Sequence, residues 1–162
     1  MKMQLFFWVF FSVLFNFAPA VAQQTINTDV LVIGGGAGGT AAAIQSAREG
    51  VNTVMIEPTQ MLGGMLTAAG VSCTDGNDAL AGGFWKSFRD ALHAHYGTDN
   101  LATGWVSETC FEPHVGDSIF KSWVRTEKRL SVYFGWHFIK ILKEKNTVKG
   151  AVFKNEKGLT LT

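Results

Sequence analysis

Asp29-Val30-Leu31-Val32-Ile33 runs without a break into Gly34-Gly35-Gly36-Ala37-Gly38-Gly39, and Thr40 opens an alanine-rich stretch that ends at Gly50. Four apolar and β-branched residues in a row, Val30 to Ile33, suit a parallel strand buried on both faces. Gly34, Gly36 and Gly39 occupy the three glycine positions of G-x-G-x-x-G. Thr40 to Gly50 reads as a helix, with Ala43, Ile44 and Ala47 on the face able to meet a sheet and Gly50 as its stop. Asn52-Thr53-Val54-Met55-Ile56 is a second strand, and it delivers Glu57 at its tip. The unit is strand, turn, helix, strand.

Each part has a physical task in binding a dinucleotide. Gly34 permits the tight turn out of the strand, Gly36 lets the main chain approach a pyrophosphate, and Gly39 lets the helix pack closely. The helix start offers unpaired N–H groups and a partial positive charge. Glu57 is placed to accept hydrogen bonds from a ribose, and its charge disfavours a ligand bearing a 2′-phosphate. Glycine-rich sequence alone is a weak signal; the strand, helix, second strand and terminal acid at the required offsets make it a strong one. The fingerprint by itself does not choose between NAD and FAD.

The residues after Glu57 do discriminate. Leu62-Gly63-Gly64-Met65 follows closely, then Gly70-Val71-Ser72-Cys73-Thr74-Asp75-Gly76-Asn77, and later Glu112-Pro113-His114. Together with GGGxGG these resemble the FAD-dependent oxidoreductase family within the two-dinucleotide-binding-domain flavoproteins, over a span from about Asp29 to the C-terminus. The resemblance implies FAD as cofactor, with Gly34, Gly36, Ala37, Gly38 and Gly39 around its pyrophosphate and Glu57 on the adenosine ribose. It also implies that Gly63, Gly64 and Met65 bring main chain to the diphosphate or the flavin end. The fold it implies is α/β: a Rossmann-like FAD-binding domain, a parallel sheet with flanking helices plus a small antiparallel meander. Family members continue into a segment closing over the flavin and a substrate domain, so the chain is expected to be an incomplete, N-terminal part. The expected activity is flavin-mediated dehydrogenation of a small molecule, with no residue identified as the base. The alternatives are an NAD-binding module and an exported remnant without catalysis.

The first residues point to export. Lys2, an apolar run from Leu5 to Phe17 and the A-x-A sequence Ala20-Val21-Ala22 are in the order of a signal peptide, cleaved after Ala22. The run is shorter than the roughly 20 residues that span a bilayer, so no membrane association is expected after cleavage. The predicted organisation is therefore a signal peptide over 1–22 and an FAD-binding domain over 28–162, periplasmic or secreted. This apolar start also inflates the 47% hydrophobic content and the mean hydropathy of +0.14 of the 162-residue chain.

Net charge is +1 without a basic block, which argues against nucleic-acid binding. Cys73 and Cys110 are the two cysteines, too few for a multi-cysteine metal site. They form either one bridge or two unrelated thiols. Cys73 lacks the C-x-x-x-x-C partner of a disulfide reductase, so dithiol catalysis is not expected.

The remaining pattern reads as structure. Phe84, Trp85, Phe88, Leu92 and Tyr96 fall at helical spacing before Gly97, as core. A second helix begins at Pro113, burying Val115, Ile119, Phe120, Trp123 and Val124; His114 at its start and His137 further on are read as structural. From Leu130 through Val132, Phe134, Trp136 and Phe138 the period is two, predicting the third sheet strand and then the meander. Leu159-Thr160-Leu161-Thr162 is expected to leave an unpaired edge.

Overall fold

The computed structural model describes residues 23–75, 80–104 and 106–162. The signal-peptide reading and Gly76-Asn77-Asp78 lie outside these residues.

A parallel sheet forms the middle layer. Its strands are β2 (Val30–Ile33), β3 (Thr53–Glu57) and β7 (Leu130–Phe134), in the order β2-β3-β7. Register is fixed by Val32 opposite Met55 and Met55 opposite Val132. All five residues of β3 are buried, as the central strand of a covered parallel sheet requires. Because side chains alternate along a strand, β3 serves two cores. Met55, with Val32, Leu130, Val132 and Phe134 of the neighbouring strands, faces the helices. Val54 and Ile56, with Leu31 and Tyr133, face the opposite way.

The helical layer contains α1 (Ala37–Arg48), α2 (Gly83–Tyr96) and α3 (Pro113–Thr126). Ala43, Ile44 and Ala47 of α1 are buried, and the small alanines let the helix lie close to the sheet. Phe88 of α2 stacks on Phe120 of α3 with ring centroids 4.6 Å apart, and Phe84 meets Trp123 edge-on at 5.2 Å. The aromatics of α2 are core, as their spacing predicts. Gly97 ends that helix with φ +66°, its amide bonded to His93 O. Pro113 occupies the first turn of α3, and His114 and His137 are exposed.

The other face of the parallel sheet is covered by an antiparallel sheet. It comprises β1 (Gln23–Gln24), β8 (Trp136–Glu144), β9 (Thr147–Asn155) and β10 (Thr160–Leu161), in the order β1-β10-β9-β8. Ala151, Phe153 and Leu161 pack on Val54 and Ile56. The alternating run from Leu130 to Phe138 divides at Gly135 (φ +76°), where the chain leaves one sheet for the other. The expected unpaired edge at Leu159–Thr162 is absent. β10 lies between β1 and β9, and Thr162 N donates to Gln24 O at 2.9 Å. The reason is non-local: the residues immediately before Thr28, outside the predicted domain boundary, return to pair with the far end of the chain.

A third, small sheet was not anticipated. It joins β4 (Cys73–Thr74), β6 (Ser107–Cys110) and β5 (Ala102–Gly104) in the order β4-β6-β5.

Candidate functional site

The glycine turn lies where β2 ends and α1 begins, at the carboxyl end of the parallel strands. Ligands of open α/β sheets bind outside this end. Gly34 has φ +97°, a region that residues with a β-carbon rarely adopt. Its amide donates to Ile56 O at 2.8 Å, which ties the turn to β3. A Cβ on Gly39 would come within 2.0 Å of Gly34 O, so Gly39 is fixed by the packing of helix against turn. Gly36 differs from both. It is the N-cap of α1 in an extended conformation, and a Cβ there would meet nothing of the protein within 4 Å. The space beside Gly36 and Gly38 is open, and Ala37 and Gly38 are exposed.

No side chain caps α1, and its first turn carries no acid. The first amides of a helix have no partner within it. Here they face the open side of the turn with the positive end of the helix dipole behind them. An open cradle at the start of the helix, where no side chain caps the first amides and the first turn carries no acid, suits a diphosphate.

Glu57 sits at the tip of β3 with 6% of its surface exposed. One carboxylate oxygen accepts from Gly35 N at 2.6 Å and the other from Thr59 N at 2.7 Å. The carboxylate thus holds the glycine turn as well as standing beside it. An ionised carboxylate offers about four lone-pair positions, so capacity remains for ribose hydroxyls. Gly35 must itself be small, since a Cβ would lie 2.9 Å from Leu62 Cδ2 and 3.1 Å from Glu57 Oε2.

Gly63 and Gly64 reach the same place from the other side. Gly63 N donates to Gly35 O at 2.8 Å, and Gly36 and Gly63 form a parallel bridge. Both glycines have positive φ, +103° and +53°. A Cβ on Gly64 would stand 2.8 Å from Gly36 Cα, and one on Gly63 would strike Phe120 at 2.7 Å. The second glycine pair is therefore demanded by protein packing against the first turn. Met65 follows in a 3-10 turn, Gly64–Leu66, and is 67% exposed beside the cradle.

Three supporting residues escaped the sequence reading. Thr40 is fully buried and donates its hydroxyl to Gly35 O at 2.8 Å. Asp117 on α3 accepts from Leu62 N at 2.8 Å, and Lys121 bridges Asp117 Oδ2 at 2.8 Å and Gln60 O at 2.6 Å. Helix α3 thereby clamps the strand-to-turn connection. Thr40 is signalled by its place right after the fingerprint; Asp117 and Lys121 carry no local signal beyond helical spacing.

Among the described residues no group of three or more His, Cys, Asp or Glu is placed to hold a metal ion. Nor is any described helix long and apolar enough to cross a membrane.

The model of the family described as FAD dependent oxidoreductase matches residues 29–162. Digoxin reductase of Eggerthella lenta is 33% identical over 91 residues, 56% of this chain and 13% of that protein. Mitochondrial dihydrolipoyl dehydrogenase of Mus musculus is 52% identical over 52 residues, 32% of this chain and 10% of that protein. The chain thus spans about an eighth or less of the length of these curated relatives. In three dimensions it resembles a flavoprotein/dehydrogenase from Cytophaga hutchinsonii, with TM-score 0.56 at 16% identity, covering 82% of this chain and 36% of that one.

Proposed function

We propose, from the premise that this chain belongs to the FAD dependent oxidoreductase family, that its glycine turn and the start of α1 hold the diphosphate of FAD for dehydrogenation of a small molecule. Gly36, Ala37, Gly38 and Gly39 would present main-chain N–H groups to the diphosphate, while Gly34 sets the turn. Glu57 would take the adenosine ribose with the lone pairs left free by Gly35 and Thr59. Gly63 and Gly64 hold the turn in shape, and Met65 stands at its rim. When bound, the isoalloxazine of FAD accepts a hydride equivalent from substrate, and the protein orients the two.

The observation that carries this reading is Gly36. Its neighbours Gly34 and Gly39 are explained by the protein alone, whereas nothing within 4 Å requires position 36 to lack a β-carbon. An approaching ligand supplies the reason. The order of residues 1–22 supports export and cleavage after Ala22, with FAD acquired after transport and the 28–162 region as its binding domain.

Equilibrium dialysis of the purified chain against FAD, ADP and NAD tests the proposal. Saturable binding of FAD and ADP is expected, and Gly36→Val should weaken FAD by at least about tenfold, a loss of about 1.4 kcal/mol. Unchanged affinity in a Gly36→Val protein with a native circular dichroism spectrum would overturn it. Preference for NAD over FAD would favour a nicotinamide-binding module instead.

A further inference from the structure

We propose that Cys73 and Cys110 join in a disulfide that fastens β4 to β6 when the chain meets an oxidising environment. The two residues are direct partners in the antiparallel pairing, with Thr74 opposite Thr109 as the next rung. Phe111 N donates to Ser72 O at 3.0 Å, so Ser72 and Phe111 form a hydrogen-bonded pair. Rungs of an antiparallel ladder alternate between hydrogen-bonded and non-hydrogen-bonded pairs. Cys73 and Cys110 therefore occupy the second kind, in which the Cα atoms stand about 4.5 Å apart. That separation lies inside the span of about 4.4–6.8 Å that disulfides bridge.

Closure calls for rotation of side chains that share one face of the ladder. Residues directly opposite each other leave the ladder on the same face. On the adjacent rung the hydroxyls of Thr74 and Thr109 already touch. The sulfur of Cys110 lies over Gly104 of β5, where an added Cβ would stand 3.2 Å away. Closure therefore turns the Cys110 side chain about χ1, away from Gly104 and toward Cys73. Both cysteines are half-buried.

The reaction is thiol–disulfide exchange with a small-molecule disulfide such as oxidised glutathione. One cysteine thiolate attacks that disulfide, forms a mixed disulfide and releases one glutathione thiolate. The second cysteine thiolate then attacks the protein-bound sulfur and expels the other. The two cysteines lose two electrons and two protons, and one glutathione disulfide becomes two glutathione thiols. The product is a structural staple enclosing α2 and β5, outside the dinucleotide cradle.

The test uses the full chain, purified reduced, incubated with oxidised glutathione, acid-quenched, alkylated and digested for mass spectrometry. The peptides containing Cys73 and Cys110 should appear linked, in a monomer on a non-reducing gel. Cys73→Ser and Cys110→Ser should each carry one glutathione on the remaining thiol. Oxidation should raise the melting temperature of the wild type by roughly 5–10 °C and leave both variants unchanged. Two glutathiones on the wild type, two thiols still alkylated, or a bond between chains would each overturn the proposal. Peptide linkage is read independently of FAD affinity, so its failure leaves the flavin reading standing.

Discussion

Three glycines of one short motif are glycine for separate reasons, and substitution separates them. Gly39→Ala drives a methyl group toward Gly34 O, 2.0 Å away. Helix and turn must part, at a cost of about 1–3 kcal/mol. Gly36→Ala meets no protein atom and exchanges one uncapped residue for another, so stability should fall by no more than about 1 kcal/mol. Urea denaturation should rank the two variants in that order, while FAD dialysis shows Gly36→Ala weakened at near-native stability. Glu57→Gln is a third case. Its carboxylate receives Gly35 N and Thr59 N on separate oxygens, and an amide can accept at only one of them. One buried N–H is left opposite another donor, a loss of about 1–3 kcal/mol. The same denaturation series checks it; a stability equal to wild type would show that the carboxylate does not brace the turn.

At the scale of elements, the support of the cradle comes from α3, and Asp117 is the point of contact. Asp117→Ala removes the acceptor of Leu62 N and the anionic partner of Lys121. The expected cost is about 1–3 kcal/mol, with hydrogen exchange at the Leu62 amide accelerated selectively. Protection at Leu62 equal to that of the unaltered protein would refute the clamp. The difference between Asp117 and Glu57 marks what the sequence discloses. Strand, glycine turn, helix and second strand are encoded by residues within a few positions of one another, so Gly34 to Glu57 is legible from periodicity and offset. The amphipathic faces of α2 and α3 are legible for the same reason. Asp117 acts on a residue 55 positions away, and no local pattern records that meeting. The two-residue strands β1 and β4 are equally silent, since their existence depends on partners elsewhere. Gly135 could have been read as a break in the alternating run, since Phe134 before it packs in the helix-facing core and Trp136 after it packs in the opposite one.

For the whole molecule, the consequence is a three-layer stack in which the glycine turn and the antiparallel sheet draw on different cores. Val32 and Met55 tie the parallel sheet to the helices around the cradle; Val54 and Ile56 tie it to Phe153 and Leu161. The second core is closed by the residues just downstream of the predicted cleavage point. Gln24 O accepts from Thr162 N, Ile26 N donates to Thr162 O at 2.8 Å, and the Ile26 side chain packs on that core. A chain beginning at Gln23 retains β1, whereas one beginning at Thr28 exposes the outer edge of β10 and the flank of Leu161, which is 2% exposed in the intact fold. The main-chain pairing with β10 and the burial of one isoleucine are lost, together about 2–4 kcal/mol. The shorter chain should unfold at lower urea, with protection lost first at the Thr162 amide. Its FAD affinity should stay within about twofold, because the missing strand pairs with β10 on the far face of the sheet from the helices and effects at separated sites combine independently. A large drop in FAD affinity on removing residues 23–27 would mean that the two layers are coupled through β3, and that the cradle is held by both faces of the sheet.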